Sequence, residues 1–216
     1  MSDASAPPAR VSWFGDRAVM VSPALAVDRA ALLGLLAAAL PDRQVRAGMA
    51  TVLVEAAEPD PGLLDAVVHA CGTGAWPGVQ IDTSRLVTVP VAYTGEDLGA
   101  AAGALDCSES ALIAAHQAQD WRVAMMGFAP GFGYLVPDGA SVLDWAALPR
   151  RSTPRAAVPR GSVAIAAGMC AVYPSAMPGG WHLIGMTDAI IFDAADEAHP
   201  SLLVAGDLVR FRGATS

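Results

Sequence analysis

Three blocks between Gly127 and Trp181 constrain this chain more than anything else in it: GFAPGFGYL (Gly127 to Leu135), PRRSTPRAAVPRGSVAIAAG (Pro149 to Gly168) and YPSAMPGGW (Tyr173 to Trp181). Glycine and proline fix backbone shape in turns, so no long helix crosses this region. Between and around the turns lie short apolar segments: WRVAMMGF, GYLV, SVAIAA, CAVY, HLIGMT, AIIF and DLVRF. Runs of four to eight residues punctuated in this way predict an all-β barrel or sandwich. Loops of fixed shape are also where binding groups sit, so the same stretch is where the chemistry is expected.

The residues before it read differently. Val11 to Ser22 has strand-like content with a turn at Gly15-Asp16. Asp28 to Leu40 reads as a helix stopped by Pro41, Arg46 to Ala57 as a strand, and Pro61 to Ala70 as a second helix ended by Gly72 and Gly74. The order β-α-β-α predicts a small α/β sandwich with crossover connections. A turn-rich AWPGVQIDTS follows, and the boundary is placed near Asp82 to Arg85. The expected class is therefore α+β, with an N-terminal α/β domain over residues 1–84 and a β-barrel domain over 85–216. The second domain opens with the β-branched strand Leu86 to Tyr93. A helix over Asp97 to Leu105 and another from Glu109 to about Gln119, capped by Ser108, come next.

Composition excludes several functions. The 216 residues carry a net charge of −8, which suits no polyanion, so nucleic acid is not an expected partner. The longest apolar-looking run, Ala30 to Leu40, is too short to span a bilayer and reads as a buried helix. No basic start followed by an apolar block marks a secretory leader. Cys71, Cys107 and Cys170 are scattered and odd in number, which points to a reducing cytoplasm. The chain has neither lysine nor asparagine. A P-loop or a Schiff-base site needs a lysine, and this chain alone has none to offer.

Candidate binding groups come from the three blocks. Pro130 and Gly131 occupy the second and third positions of a type II turn, which would present Phe128, Phe132 and Tyr134 along one wall; a packed hairpin corner is the alternative. Arg150, Arg151, Arg155 and Arg160 fall within eleven residues, three of them directly after proline. Their guanidinium forks suit a carboxylate or phosphate, or else a solvated loop paired with acids such as Asp144. Tyr173, Gly179, Gly180 and Trp181 belong to a block where backbone can approach a ligand and an indole can stack on it. His116 is a candidate general acid or base, or a helix-surface histidine. Ser162 starts a strand and lies outside any nucleophile elbow. No pair of histidines has metal-ligand spacing, so no metal is expected.

Taken in order, these blocks resemble the family that contains the B component of 5-oxoprolinase, the kinase inhibitor KipI and proteins called allophanate hydrolase subunit 1. The match runs from VPVAY at Val89 through the helix with His116, GFAPGFGYL, TPRAAVPRGSVAIAAG, YPSAMPGGW and LIGMT to GDLVRF, with GMATVLVEA (Gly48 to Ala57) in the first half. The chain departs from the family's pattern at Trp121, at Met169-Cys170 and at Gly185-Met186-Thr187. The resemblance implies a cyclophilin-like barrel behind the small N-terminal domain. It also implies two partners, an obligate KipA-like sister chain (the C component) and the A component of the same enzyme. With them the chain would open 5-oxoproline to glutamate at the expense of ATP. ATP is then expected at the assembled complex, and the substrate is a small lactam or amide. Arg155, Arg160 and His116 are the expected catalytic groups. Phe128, Pro130, Gly131, Phe132, Tyr134, Ser162, Tyr173, Gly179, Gly180 and Trp181 are the expected substrate-binding residues. The KipI name implies an alternative, a regulator of a sensor histidine kinase; a component of an allophanate-type amide hydrolase is another.

Overall fold

The computed structural model describes residues 9–23, 29–73 and 85–214. The chain divides into two compact units, Met1–Thr83 and Ser84–Ser216. The AWPGVQIDTS turn falls outside the described residues.

In the first unit, β1 (Ala9–Trp13) and β2 (Ala18–Pro23) form a hairpin around the Gly15-Asp16 turn. Next come α1 (Arg29–Ala39), β3 (Gln44–Ala47), β4 (Val52–Glu55) and α2 (Leu63–Thr73). The stretch Arg46 to Ala57, expected as one strand, is a hairpin of two. Gly48 N–H closes the turn on Thr51 O at 2.8 Å, and β3 pairs β4 antiparallel. The sheet order is β1-β2-β4-β3 and every pairing is antiparallel, so the expected crossover arrangement is corrected. A short hairpin with a glycine at its turn needs no crossover helix to bring its strands together. One face of the sheet is buried under the helices. Leu32 and Leu36 sit four apart on α1, and Leu63, Val67, Ala70 and Cys71 follow the helical repeat on α2. They pack on Val19, Val21, Val52 and Val54.

The second unit is a seven-stranded barrel-like sheet in the order β12-β9-β10-β7-β6-β13-β5. Its strands are β5 (Leu86–Val91), β6 (Asp120–Met126), β7 (Gly133–Pro137), β9 (Ser162–Ala166), β10 (Met169–Val172), β12 (His182–Met186) and β13 (Leu208–Gly213). Two strands lie apart as a ribbon, β8 (Arg155–Val158) against β11 (Met177–Gly179). Both fall in blocks expected as loops. AIIF, expected as a strand, contributes only a bridge from Phe192 to Ser201.

The edge strands β5 and β12 meet at a seam. Ala92 and Met186 exchange two backbone hydrogen bonds of 2.8 Å. Just beyond, the Asp97 N–H donates to Leu183 O at 3.0 Å. The seam depends on glycine for closeness: a Cβ on Gly95 would sit 2.5 Å from Ile184 Cα and overlap the Leu183 carbonyl. Closure removes the exposed edge that an open sheet would carry. Helices α3 (Leu98–Ala104) and α4 (Glu109–Ala118) cover one side of the barrel. As expected, the Ser108 hydroxyl caps α4 by accepting from Ala111 N–H at 3.2 Å. No single helix among the described residues is long and apolar enough to cross a membrane.

Strands β9 and β10 are buried on both faces. By alternation, Val163, Ile165, Cys170 and Val172 point into the barrel core. Ala164, Ala166, Ala171 and Tyr173 point outward into a second cluster with Phe132, Val158, Trp181 and Leu183. Three alanines on that outer face leave room for large rings, and the ribbon residue Val158 closes over them.

Candidate functional site: an aromatic pocket on the outer barrel face

The outer cluster opens into a cavity of about 300 Å³. It is lined by Phe128, Phe132, Tyr134, Arg150, Arg151, Pro154, Tyr173, Pro178, Gly179, Gly180 and Trp181. All three sequence blocks contribute. The turn forms as expected: Phe132 N–H donates to Ala129 O at 3.0 Å, and Gly131 takes φ +78°, the type II requirement. A Cβ at Gly131 would also sit 2.5 Å from Phe192 Cβ. Pro130 and Gly131 therefore shape the wall without lining the cavity.

The rings pack edge to face. Phe132 meets Phe128, Tyr134, Tyr173 and Trp181 at centroid distances of 5.2, 5.1, 5.4 and 6.1 Å. Such pairs hold one another in place beyond simple area burial. Phe128 is the exception in exposure, at 63%, and sits at φ +70°, an uncommon place for a bulky side chain. Gly179 lets backbone lie against Tyr173: a Cβ there would overlap the Tyr173 hydroxyl. Burial raises the Tyr173 phenol, with the Arg150 and Arg155 charges opposing and Tyr134 adding to the rise. It stays protonated at neutral pH.

The four arginines separate into different roles. Arg150 is exposed and stands over the Trp181 ring, its guanidinium carbon 5.9 Å from the centroid, within cation–π range. Arg151 also lines the cavity, and its backbone N–H donates to Gly180 O at 2.8 Å, tying the strap to the glycine turn. Its Nη1 donates to Asp97 Oδ1 at 2.5 Å. Arg155 donates from Nη2 to the same oxygen at 2.9 Å and pairs through Nε with Glu96 at 2.8 Å. The Asp97 Oδ2 accepts from Leu183 N–H at 2.8 Å. Arg160 is exposed and lies outside the cavity lining.

Asp97 is the residue that sequence reasoning missed. It was expected to open α3, yet its side chain makes no capping bond. Burial would raise its carboxyl; hydrogen bonds from Arg155 and Leu183, with the nearby Arg155 and Arg151 charges, outweigh that and hold it below the usual carboxylate range. The suggestion that Asp144 pairs with the arginines is corrected in the same way. Asp144 caps the short 3-10 turn over Trp145–Ala147 by accepting from Ala146 N–H at 3.1 Å.

His116 is not brought to this pocket. Its imidazole is fully buried on the inner side of β10, with Nδ1 2.8 Å from the Tyr93 hydroxyl and Nε2 3.3 Å from Cys170 Sγ. Trp121, Trp145 and Phe211 surround it. Burial depresses its pKa to about 3 and raises those of Cys170 and Tyr93. Cys170 faces this histidine while its neighbour Ala171 faces the pocket, so the imidazole and the cavity lie on opposite faces of one strand. Ser162 is fully buried with its hydroxyl donating to Met186 Sδ at 3.4 Å, and it too lies outside the lining. Two departures from the family pattern, Trp121 and Cys170, belong to this inner core. The inner polar contacts thus serve the barrel.

The lining residues include no carboxylate, imidazole, thiol or lysine. The pocket can hold a small ring between aromatic walls and offer guanidinium and phenol donors to it. It has no side chain suited to take a proton at neutral pH.

The fold and this site define a two-unit α+β protein whose barrel carries an aromatic-lined pocket on its outer face. A family model described as carboxyltransferase domain, subdomain C and D, matches residues 9–203, and the chain belongs to that family. It is similar to the B subunit of 5-oxoprolinase from Escherichia coli O157:H7, 42% identical over 131 residues that make up 59% of this chain and 58% of that protein. The match thus spans a little over half of that relative. Among solved structures it is similar to TTHA0988, with 30% identity and a TM-score of 0.70 over 93% of this chain and 40% of that one. It also shares its fold with the urea amidolyase of K. lactis, with a TM-score of 0.69 and 20% identity, covering all of this chain and 15% of that one.

Proposed function

We propose that this chain is the pocket-bearing B component of a cytoplasmic, ATP-dependent 5-oxoprolinase, working with a KipA-like C component and an A component. The observation that carries the reading is the pocket's one-sidedness: it is equipped to hold a small lactam and lacks a group to activate one. A component that binds but cannot complete the chemistry requires a partner surface to supply the reacting groups. The name carried by the Escherichia coli relative, one lettered part of a larger enzyme, agrees with that division of labour.

The residues present do not fit ATP. The cavity of about 300 Å³ is at the small end of ligand sites. Of the two arginines that line it, Arg151 is already engaged by Asp97, and no P-loop exists in the sequence. The nucleotide is assigned to the assembled complex, and this chain's part is to seat the lactam between Phe132, Tyr134 and Trp181.

The test is reconstitution. The chain alone should form no glutamate from 5-oxoproline and ATP, and the chain with its two sister components should. An assembly whose other components are active with a proven B component, yet which yields no glutamate with this chain, refutes the proposal.

A further inference from the structure

The geometry points to a pocket that selects a small ring bearing a single carboxylate, read by Arg150 and not by the other arginines of the strap. This deepens the function proposed above and rests on the same cavity being the substrate site.

The argument is one of charge matching. Arg151 and Arg155 face two carboxylates, Asp97 and Glu96, at 2.5 to 2.9 Å. Two cations against two anions leave that group electrically neutral. Among the described residues Arg150 has no carboxylate partner; its contact is the face of Trp181, a surface that orients a guanidinium without neutralising it. One uncompensated positive charge therefore stands at the rim of an otherwise apolar cavity. A carboxylate supplies two oxygens and one negative charge. With about 300 Å³ available and aromatic walls behind, what remains of the ligand is a small ring. Arg155, bound to both Asp97 and Glu96, serves to hold the strap, and Arg160 lies outside the lining.

Calorimetric titration of the whole chain decides it. The probes are L-5-oxoproline, its neutral amide, tetrahydrofuran-2-carboxylate (a ring carboxylate with no lactam) and inorganic phosphate. Both ring carboxylates should bind roughly tenfold or more tightly than the amide, as expected of a charge-assisted hydrogen bond. That preference should shrink as salt is added, because the charge is at the rim. Arg150→Gln should abolish the preference, so that acid and amide bind alike, while Arg160→Gln should change nothing. A carboxylate preference that survives Arg150→Gln overturns the proposal. So does a wild-type chain that binds acid and amide equally, that is saturated by phosphate as readily as by the ring acids, or that binds none of the probes while folded. The two readings fail separately. Tight, Arg150-dependent binding of tetrahydrofuran-2-carboxylate without glutamate formation in the assembly would sink the function and leave this inference standing. Turnover of 5-oxoproline with no carboxylate preference would do the reverse.

Discussion

Acid should loosen the barrel well before its carboxylates titrate, because of His116. In the unfolded chain this imidazole takes a proton near pH ~6.5; in the fold, burial holds it neutral down to about 3. Between those values the unfolded chain binds more protons, so the contribution is fully present above the unfolded value and drains away as pH falls. The slope approaches about 1.4 kcal/mol per pH unit, which amounts to about 2 kcal/mol at pH 5 and about 3 kcal/mol at pH 4. Nothing nearby counters it: the ring faces the Tyr93 hydroxyl, the Cys170 thiol and the rings of Trp121, Trp145 and Phe211, and among the described residues no carboxylate pairs with it. The assay is urea unfolding of wild type and His116→Gln at a series of pH values, followed by near-ultraviolet dichroism. At neutral pH the variant should be the weaker of the two, having lost a fitted ring. The gap should close by about 2 kcal/mol on going to pH 5, since glutamine has nothing to titrate. A gap that stays constant across that range refutes the reasoning. Should the variant not fold, the imidazole of the wild type can be titrated directly by NMR, where a midpoint near the unfolded value would be equally damaging.

Three further outcomes are expected. Gly95→Ala should destabilise the second unit by about 3 kcal/mol or prevent its folding, because its Cβ overlaps Leu183 at the barrel seam; Gly103→Ala, with open space around it in α3, should be neutral or stabilising by about 0.5–1 kcal/mol in the same thermal melts. Asp97→Asn should cost about 2 kcal/mol at neutral pH by leaving Arg151 and Arg155 without their shared anion. The wild type's advantage should persist down to the ordinary carboxylate range near pH ~4 and fade only as pH falls through the depressed Asp97 pKa, so an advantage already lost at pH 6 would contradict the linkage. Gly179→Ala should drive the almost fully buried Tyr173 ring out of place, lowering ring-carboxylate affinity in calorimetry and the melting temperature together.

What the sequence showed and what it hid divide along a physical line. The turn at Pro130-Gly131, the Ser108 cap and the β-branched strand β5 are local, set by residues adjacent in the chain, and they formed where expected. The aromatic wall was legible for the same reason, since its rings flank turns whose type fixes their direction. The misreadings concern pairing over distance. The strap was visible as four equivalent arginines, whereas their partner Asp97 lies 54 residues before Arg151 and looked like the start of a helix. The β8–β11 ribbon was hidden because each strand is only three or four residues long and draws its regularity from the other. His116 was misjudged because a histidine in a helix announces itself as chemistry. Only the register of β10 reveals that its companion Cys170 faces away from the cavity.

That register also explains why one sheet can serve two purposes. The inward residues of β9 and β10 are valines, an isoleucine and the Cys170 thiol that meets His116, and the outward ones are alanines and Tyr173 that join the pocket rings. A slip of one residue in either strand would exchange the two sets, placing alanines in the barrel core and branched side chains where the rings now sit. The inner polar cluster is therefore coupled to the outer pocket through the strand they share. Cys170→Ser tests this. The Cys170 sulfur lies 3.3 Å from His116 Nε2; a serine there carries a hydroxyl toward the same nitrogen and loses apolar bulk, so stability should drop by about 1 kcal/mol while ring-carboxylate affinity stays within about twofold. Cys170→Trp, which overfills the core, should displace β10 and weaken ligand binding in proportion to the loss of melting temperature. If binding were untouched in a variant whose barrel core had been visibly disrupted, the pocket would not depend on this strand, and the role assigned to the alanine face would have to be given up.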